Sequence, residues 1–261
     1  MSRSPLQVRW LGRVPYHEAL AVQNAIFETA RGNHLLLLEH PHVFTYGPSA
    51  DLRNNLKCDP AAVGADFVRV RRGGDITYHG PGQLVGYPLL VLPSKRGVDG
   101  PADSAGYVRQ VEQVIIDSLR ELGVADADRF DGYPGVWLGV PSGAPRKICA
   151  IGVRVGRRRT MHGFALNVTT DLTYMRDHIV PCGIPDHPVT SLAEEGIDVS
   201  LQQVADVVAR ASGYTVGELM IAKRDARRAR ARFVAMAMQR ETGATDAEVA
   251  AYWQKDRTMA R

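Results

Sequence analysis

The sequence is poor in cysteine and lacks any long apolar run. Its 261 residues include three cysteines, Cys58, Cys149 and Cys182, with no CxxC pair among them. Such a set excludes an even disulfide framework and fits a reducing compartment, so we expect a cytoplasmic protein. No apolar run approaches the roughly 20 residues of a membrane span, and residues 1–10 lack the apolar core of a signal peptide. We therefore expect no membrane association.

Neither sign of charge dominates the composition. The formal net charge is +4, with 45% hydrophobic and 23% charged residues, which is typical of a globular protein. This mild basic bias permits an acidic partner without requiring nucleic acid. Metal binding is also poorly supported, because His40 and His42 flank a proline without any further ligands at zinc-like spacing. The length fits one large domain, or one domain with an appendage.

The order of helical and extended patterns indicates an α+β fold with a mixed or antiparallel sheet and flanking helices. Helices are predicted at residues 15–30 and 107–122, the second ending at a glycine. Strands are predicted at residues 35–38, buried on both faces, and at 68–70, 84–92, 135–140, 148–155 and 163–168. A glycine and three arginines at 156–159 form the predicted hairpin turn between the last two.

The composition changes beyond Gly213. Residues 214–261 are rich in helix formers and contain two capping-box patterns, so we predict two helices in a C-terminal extension to a domain spanning residues 1–213. The arginine-rich segment 223–232 is most simply a solvated helix face. It could also contact an acidic protein, whereas nucleic-acid binding is disfavoured because interleaved aromatic residues are missing.

A glycine-rich segment at residues 72–83, RGGDITYHGPGQ, remains polar at its centre. Its glycines allow positive φ and close approach of the backbone to a ligand, while its polar side chains supply hydrogen-bond donors and acceptors. Such a loop suits a carbonyl or carboxyl ligand, although an ordinary polar turn has a similar composition. Because predicted strands flank it, we expect a strand, loop, strand arrangement.

The three cysteines differ in their local sequence. Cys182 lies between Pro181 and Gly183, which favour a tight loop around a thiol. Cys149 lies in an apolar segment and is expected in the core, and Cys58, in a polar segment, is expected to be exposed and incidental. Cys182 is therefore the candidate nucleophile. A thiol with a reference pKa near 8.5 is mostly protonated at pH 7, so a catalytic cysteine needs a neighbouring cation or base.

The sequence offers more than one partner for such a thiol. Lys147 enters an otherwise apolar segment, where a lone lysine most often faces solvent. A cysteine–histidine pair is equally legitimate chemically. The histidine candidates are His79, His162, His178 and His187.

Four segments in the same order resemble lipoyl(octanoyl) transferases. They are residues 72–83, 146–152, 162–168 and 181–183. The resemblance covers about residues 8–212 and leaves out the C-terminal extension. It implies the catalytic fold shared by biotin and lipoate protein ligases. It also implies transfer of an octanoyl group from acyl carrier protein to a lysine of a lipoyl domain, the first step of endogenous protein lipoylation.

The resemblance also implies roles for individual residues. Cys182 would be the nucleophile that accepts the acyl group, and Lys147 would promote ionisation of that thiol and shuttle a proton. The implied substrate-binding residues are Arg72, Gly73, Gly74, Asp75, Ile76, Thr77, Tyr78, His79, Ala150, Ile151, Gly152, Gly163, Phe164 and Ala165. Small residues at several of these positions leave space for a flexible C8 chain. Burying seven methylenes would contribute roughly 5 to 6 kcal/mol before ordering costs.

The implied mechanism is ping-pong, with an acyl-Cys182 intermediate and no need for ATP, any other cofactor or a metal. The implied acceptors are the lipoyl domains of 2-oxoacid dehydrogenase E2 subunits and the glycine cleavage H protein, and we expect a monomer. Two alternatives remain open: an ATP-dependent lipoate or octanoate ligase on the same fold, and a non-catalytic protein that binds lipoyl domains or acyl carriers. The presence of both Cys182 and Lys147 disfavours the second.

Overall fold

The computed structural model describes residues 6–29, 32–92 and 102–213. Its strands are β1 (Leu6–Arg13), β2 (Asn33–Glu39), β3 (Val43–Tyr46), β4 (Asp66–Arg69), β5 (Thr77–His79), β6 (Gln83–Leu89), β7 (Asp128–Phe130), β8 (Tyr133–Leu138), β9 (Arg146–Gly156) and β10 (Arg159–Asn167). Its helices are α1 (Tyr16–Thr29), α2 (Leu52–Asn55), α3 (Ser104–Glu121), α4 (Thr173–Arg176) and α5 (Leu201–Ala211). The C-terminal helices and the arginine-rich segment predicted above lie outside these residues.

Seven strands form one mixed sheet in the order β1-β2-β6-β10-β9-β8-β7. Only the β1–β2 pair of this sheet is parallel, and the other neighbours run antiparallel. This confirms the predicted α+β class with a mixed sheet. Within the described ranges, no helix combines the length and apolarity needed to cross a bilayer.

The large sheet is covered on both faces, and β2 shows why its leucines are consecutive. Leu35 and Leu37 pack into the cluster formed with α3 and α5, while Leu36 and Leu38 pack against α1. All four are almost completely buried. Because successive side chains of a strand point to opposite faces, a strand buried on both sides needs an unbroken apolar run.

The β9–β10 hairpin turns at the predicted position. Arg157 and Arg158 both have positive φ, at 50° and 61°, as a two-residue turn that matches the twist of the strands requires. The register then runs without interruption from Arg159 paired with Gly156 to Leu166 paired with Cys149. This hairpin therefore holds the Lys147 end of β9 in a fixed position relative to β10.

A second sheet of three short strands was not predicted. Its order is β4-β3-β5, with β3 parallel to β4 and antiparallel to β5. The prediction of one continuous glycine-rich loop between two strands was wrong, because β5 occupies the middle of that segment. β5 has only three residues and pairs with β3, more than thirty positions earlier in the chain, so no local pattern indicates it.

Candidate active site

A cavity of about 290 Å³ lies where β9, β10, β5 and the loop after β4 meet. Its wall contains every residue of the predicted site except Ile76 and Tyr78. The lining residues from that prediction are Cys182, Lys147, Arg72, Gly73, Gly74, Asp75, Thr77, His79, Ala150, Ile151, Gly152, Gly163, Phe164 and Ala165. Residues from four separate stretches of the chain are thus brought to one concave surface.

Ile76 and Tyr78 also belong to the predicted substrate-binding segment, but their side chains point away from the cavity. Strand alternation places Thr77 and His79 on the cavity face, so their neighbours occupy the opposite face. Ile76 and Tyr78 are fully buried in the cluster with Phe44. The Tyr78 hydroxyl lies 2.7 Å from His42 Nδ1 on that side.

Cys182 occupies a tight turn, as predicted. The turn Pro181–Gly183 carries Cys182 in the left-handed region at φ 58° and ψ 16°, which is uncommon for a residue with a side chain. Its N–H donates to Ile76 O at 2.9 Å, which ties the turn to the glycine-rich segment. The thiol is partly exposed, in contrast to that of Cys149. The backbone thus fixes a thiol at the cavity wall.

Lys147 is buried rather than facing solvent, at 5% exposure. Its Nζ lies 4.7 Å from the ring centroid of Trp137 on β8, so the aromatic face stabilises the ammonium group. Its N–H donates to Pro188 O at 2.8 Å and its carbonyl accepts from Thr190 N–H at 2.9 Å. Because residues 188–190 follow the Cys182 turn by only a few positions, these bonds hold the lysine and the thiol on connected backbone.

Cys149 lies in the core, as expected. It is completely buried, and this burial raises the pKa of its thiol. The charge of Lys147 lowers the pKa of this thiol, and the ionisable group of Cys182 raises it. Cys58, expected to be exposed, is only half-buried and packs against the cluster around Phe44. The Cys58 thiol does not line the cavity.

Arg72 places a buried cation beside Cys182. Its two terminal nitrogens donate to Asp75 O at 2.8 Å and Thr45 O at 2.7 Å, so the side chain holds the glycine-rich segment against β3. Burial lowers the pKa of Arg72, while the ionisable groups of Cys182 and Tyr16 act in the opposite direction. The guanidinium therefore supplies positive charge to the cavity, although these bonds already occupy its terminal N–H groups.

The Asp75 carboxylate is committed to the same loop. One oxygen accepts from Ile76 N–H at 2.6 Å, and the other accepts from Asn55 Nδ2 at 2.9 Å and from Asp51 N–H at 3.2 Å. Although Asp75 lines the cavity, its carboxylate therefore stabilises the conformation of the glycine-rich segment.

His79 is a neutral imidazole held in one orientation. Asn167 Nδ2 donates to Thr190 O, so Asn167 Oδ1 accepts from Gln83 Nε2 at 2.9 Å and Gln83 Oε1 accepts from His79 Nδ1 at 2.8 Å. Burial lowers the pKa of His79 to about 3. The chain of bonds links the cavity wall to Thr190, whose N–H bonds to Lys147.

The remaining histidine candidates divide between the cavity and its surroundings. His162 lines the cavity, and burial lowers its pKa to about 4. His187 packs edge-on against Trp137, and His178 packs against Tyr174; neither belongs to the cavity wall. In the part of the chain that the structure describes, no group of three or more His, Cys, Asp or Glu side chains is placed to hold a metal ion.

Other lining residues were not anticipated from sequence. They are Tyr16, Tyr87, Val108, Pro134, Val153 and Ile184. Tyr16 begins α1 and Tyr87 lies in β6, so each reaches the cavity only through tertiary packing. Burial raises the pKa of Tyr16 to about 12, which keeps its hydroxyl protonated at neutral pH. No motif or spacing marks these positions.

The catalytic-domain model of lipoyl protein ligases A and B matches residues 15–213. An octanoyltransferase from Solibacter usitatus is 47% identical over 205 residues, which cover 76% of this chain and 87% of that protein. An octanoyltransferase from Acidobacterium capsulatum is 44% identical over 229 residues, covering 83% and 92% of the respective chains.

Solved structures resemble this chain in fold. A bipartite lipoate protein ligase from Thermoplasma acidophilum superposes with a TM-score of 0.64 at 19% identity, covering 87% of this chain and 93% of that one. A lipoate-protein ligase A bound with ATP gives a TM-score of 0.64 at 18% identity, covering 87% and 95%. At such identities the likeness concerns the arrangement of the backbone alone.

Proposed function

The chain belongs to the lipoyl protein ligase A/B catalytic-domain family and is an octanoyltransferase of protein lipoylation, and we propose that it transfers the octanoyl group through a thioester on Cys182. We propose an acyl carrier protein as the donor. The acceptors would be lysines of lipoyl domains in 2-oxoacid dehydrogenase E2 subunits and of the glycine cleavage H protein. The catalytic domain would span residues 1–213, and the enzyme would act as a cytoplasmic monomer.

One observation carries this mechanism: a partly exposed thiol, a buried lysine and a buried arginine share one small cavity. Cys182, Lys147 and Arg72 all line it. Attack by a cysteine passes through a negatively charged tetrahedral intermediate, and cations in the same cavity stabilise such charge. Because much of the cavity wall is apolar, it also suits an acyl chain rather than a large polar ligand.

The first half-reaction acylates Cys182. The thiolate attacks the carbonyl carbon of the donor thioester while the Lys147 ammonium stabilises the negative charge. When the tetrahedral intermediate collapses, the bond to the donor sulfur breaks. The leaving thiolate takes a proton from Lys147, so the products are the carrier thiol, acyl-Cys182 and a neutral Lys147 amine.

The second half-reaction forms the amide. The neutral amine of the acceptor lysine attacks the acyl carbon and passes a proton to Lys147, and the carbon–sulfur bond to Cys182 breaks. This restores the thiolate and the ammonium. The donor thioester supplies the driving force, so the sequence of steps balances without ATP. The position of Lys147 in the same cavity as Cys182 fits such a role.

The test is intact-protein mass spectrometry after mixing the protein with octanoyl acyl carrier protein in the absence of ATP. An octanoyl adduct that hydroxylamine removes, seen on the wild type and missing from Cys182→Ser, is expected. Octanoylation of a lipoyl domain that proceeds only with ATP and free octanoate, and that survives in Cys182→Ser, would replace this mechanism with that of a ligase.

A further inference from the structure

Part of the cavity wall is the edge of β9 beyond Cys149, where β8 no longer pairs with it. The β8–β9 ladder ends where Val136 pairs with Cys149. Beyond that point Gly135 has φ +124° and its N–H donates to Glu112 Oε1 at 3.1 Å. Pro134, the next residue of β8, has no N–H. The edge of β9 after Cys149 therefore lies beyond the paired part of the sheet.

The structure shows which backbone groups point to this open edge. Gly73, which does not belong to β10, donates its N–H to Val153 O at 3.0 Å, so Val153 presents its backbone polar groups away from β10. The β9–β10 register has no bulge between residues 150 and 156. In an antiparallel ladder every second residue faces the same edge, so Ile151 presents its N–H and C=O toward the cavity as well.

The N–H groups nearest the thiol are already used. Cys182 N–H donates to Ile76 O at 2.9 Å, Gly183 N–H donates to Val180 O at 3.0 Å, and Ile184 N–H donates to Pro181 O at 3.1 Å. The turn that carries the nucleophile thus cannot also supply N–H donors to a developing oxyanion in this conformation. The donor has to come from another wall of the cavity.

The Cys182 thiol and the open stretch of β9 line the same cavity. Cys182 interacts electrostatically with Arg72 and with Cys149. The Arg72 side chain crosses β9 at Gly152, where a Cβ would lie 3.0 Å from Arg72 Cδ. Cys149 and Gly152 lie on either side of Ile151 along the strand, and Ile151 itself lines the cavity that contains Cys182.

We propose that the Ile151 backbone N–H is an oxyanion-hole donor, which binds the carbonyl oxygen of the octanoyl thioester as its charge develops. This assignment rests on the proposed acyl-Cys182 mechanism and gives it the hydrogen-bond donor that the thiol's own turn lacks. A backbone donor on a paired strand is fixed before the reaction, which is the condition for efficient electrostatic stabilisation. Lys147 is four residues earlier on β9, so one strand supplies both the proton carrier and the oxyanion donor.

The test removes this N–H alone. Ile151→Pro deletes the donor at an edge position, where proline is compatible with a strand, and Ile151→Val keeps it with a similar side chain. Ile151→Val therefore reports the effect of the side chain, and single-turnover acylation by octanoyl acyl carrier protein is expected to be about 10²- to 10³-fold slower in Ile151→Pro than in Ile151→Val. Alkylation of Cys182 by iodoacetamide, which forms no oxyanion, is expected to stay within about threefold in both.

Unchanged acylation in Ile151→Pro would overturn the assignment, as would equal losses of acylation and alkylation. If the proline variant does not fold, replacement of the Ile151 amide by an ester through semisynthesis removes the same N–H, keeps the side chain and is judged by the same two rates. Failure of the proposed acyl-Cys182 mechanism would give a different result, because the wild type itself would then form no acyl-Cys182.

Discussion

Cys149 lies on the same strand as Lys147 and Cys182 lines the same cavity as Lys147, and the two thiols differ in burial and in backbone setting. Cys149 is two residues from the lysine on β9, fully buried, with the pKa of its thiol raised by burial. Cys182 is distant in sequence, partly exposed, and held in a left-handed turn at the cavity wall. The comparison shows that a nearby cation does not by itself make a thiol a nucleophile, because access to substrate and solvation of the thiolate also decide.

The most direct test of this comparison removes each of the two thiols in turn. Cys182→Ser is expected to lower octanoyl transfer by at least about 10⁴-fold, since removing a nucleophile leaves only binding and orientation effects. Cys149→Ala should retain activity within about threefold and lose about 1 kcal/mol of stability, as for other small core truncations. Steady-state transfer to a lipoyl domain and urea denaturation measure the two effects. Comparable activity losses in both variants would contradict the contrast between the thiols.

A second test removes Lys147, which acts on Cys149 and lines the same cavity as Cys182. Lys147→Met keeps much of the side-chain volume against Trp137 but cannot carry a proton, so acylation of Cys182 should slow by about 10²- to 10⁴-fold. Lys57→Met, on the exposed surface, serves as the matched control and should behave as wild type. Rapid-quench acylation measures both. A slow step restored at high pH would favour a role confined to ionising the thiol.

A third test displaces Arg72, which lines the cavity together with Cys182. A Cβ at Gly152 would lie 3.0 Å from Arg72 Cδ and 3.2 Å from Gly73 O, so Gly152→Ala must displace the guanidinium or the loop. Displacements of this kind near reacting groups can cost about 10²-fold in kcat/KM. At Gly73 an added Cβ has its nearest contact at 3.6 Å, which makes Gly73→Ala the milder companion. Equal effects of the two changes would argue against a role for the position of Arg72.

The smallest expected effect concerns the histidine that frames the cavity. Burial lowers the pKa of His79 to about 3, below the usual value near 6.5, so the unfolded chain binds the proton more readily over this interval. The contribution of His79 to the free energy of unfolding is therefore at its maximum above about pH 6.5. Between about pH 6.5 and pH 3 the free energy of unfolding falls on acidification by about 1.4 kcal/mol per pH unit for this group. Urea denaturation from pH 7.5 to 4.5 should show a shallower slope in His79→Gln, and parallel slopes would refute the assignment.

The sequence predicted several elements because they carry local patterns. The four leucines of β2, the helical spacing of α3 before Gly123 and the turn at residues 157–158 each reflect a repeat or a turn preference within a short window. The structure bears out these three elements. The small sheet was missed because β3 and β5 are three or four residues long and pair across more than thirty positions.

The same division holds for the cavity. The candidate residues at positions 72–79, 147 and 182 could be named from the sequence because the segments that contain them resemble those of a known family. The sequence did not show that Lys147 is buried on Trp137, that Ile76 and Tyr78 face away, or that β8 leaves the edge of β9 open at Ile151. These depend on pairing between distant strands.

The sequence by itself therefore determined the resemblance to a family, the mixed α+β class and a short set of candidate residues. Only the tertiary structure decided which cysteine is accessible, which side chains share the cavity and which backbone N–H groups are already used. The physical reason is that motifs and periodicity act over a few residues along the chain. Burial, charge proximity and hydrogen-bond competition depend on segments such as 72–79, 146–153 and 181–184, which meet only when the chain is folded.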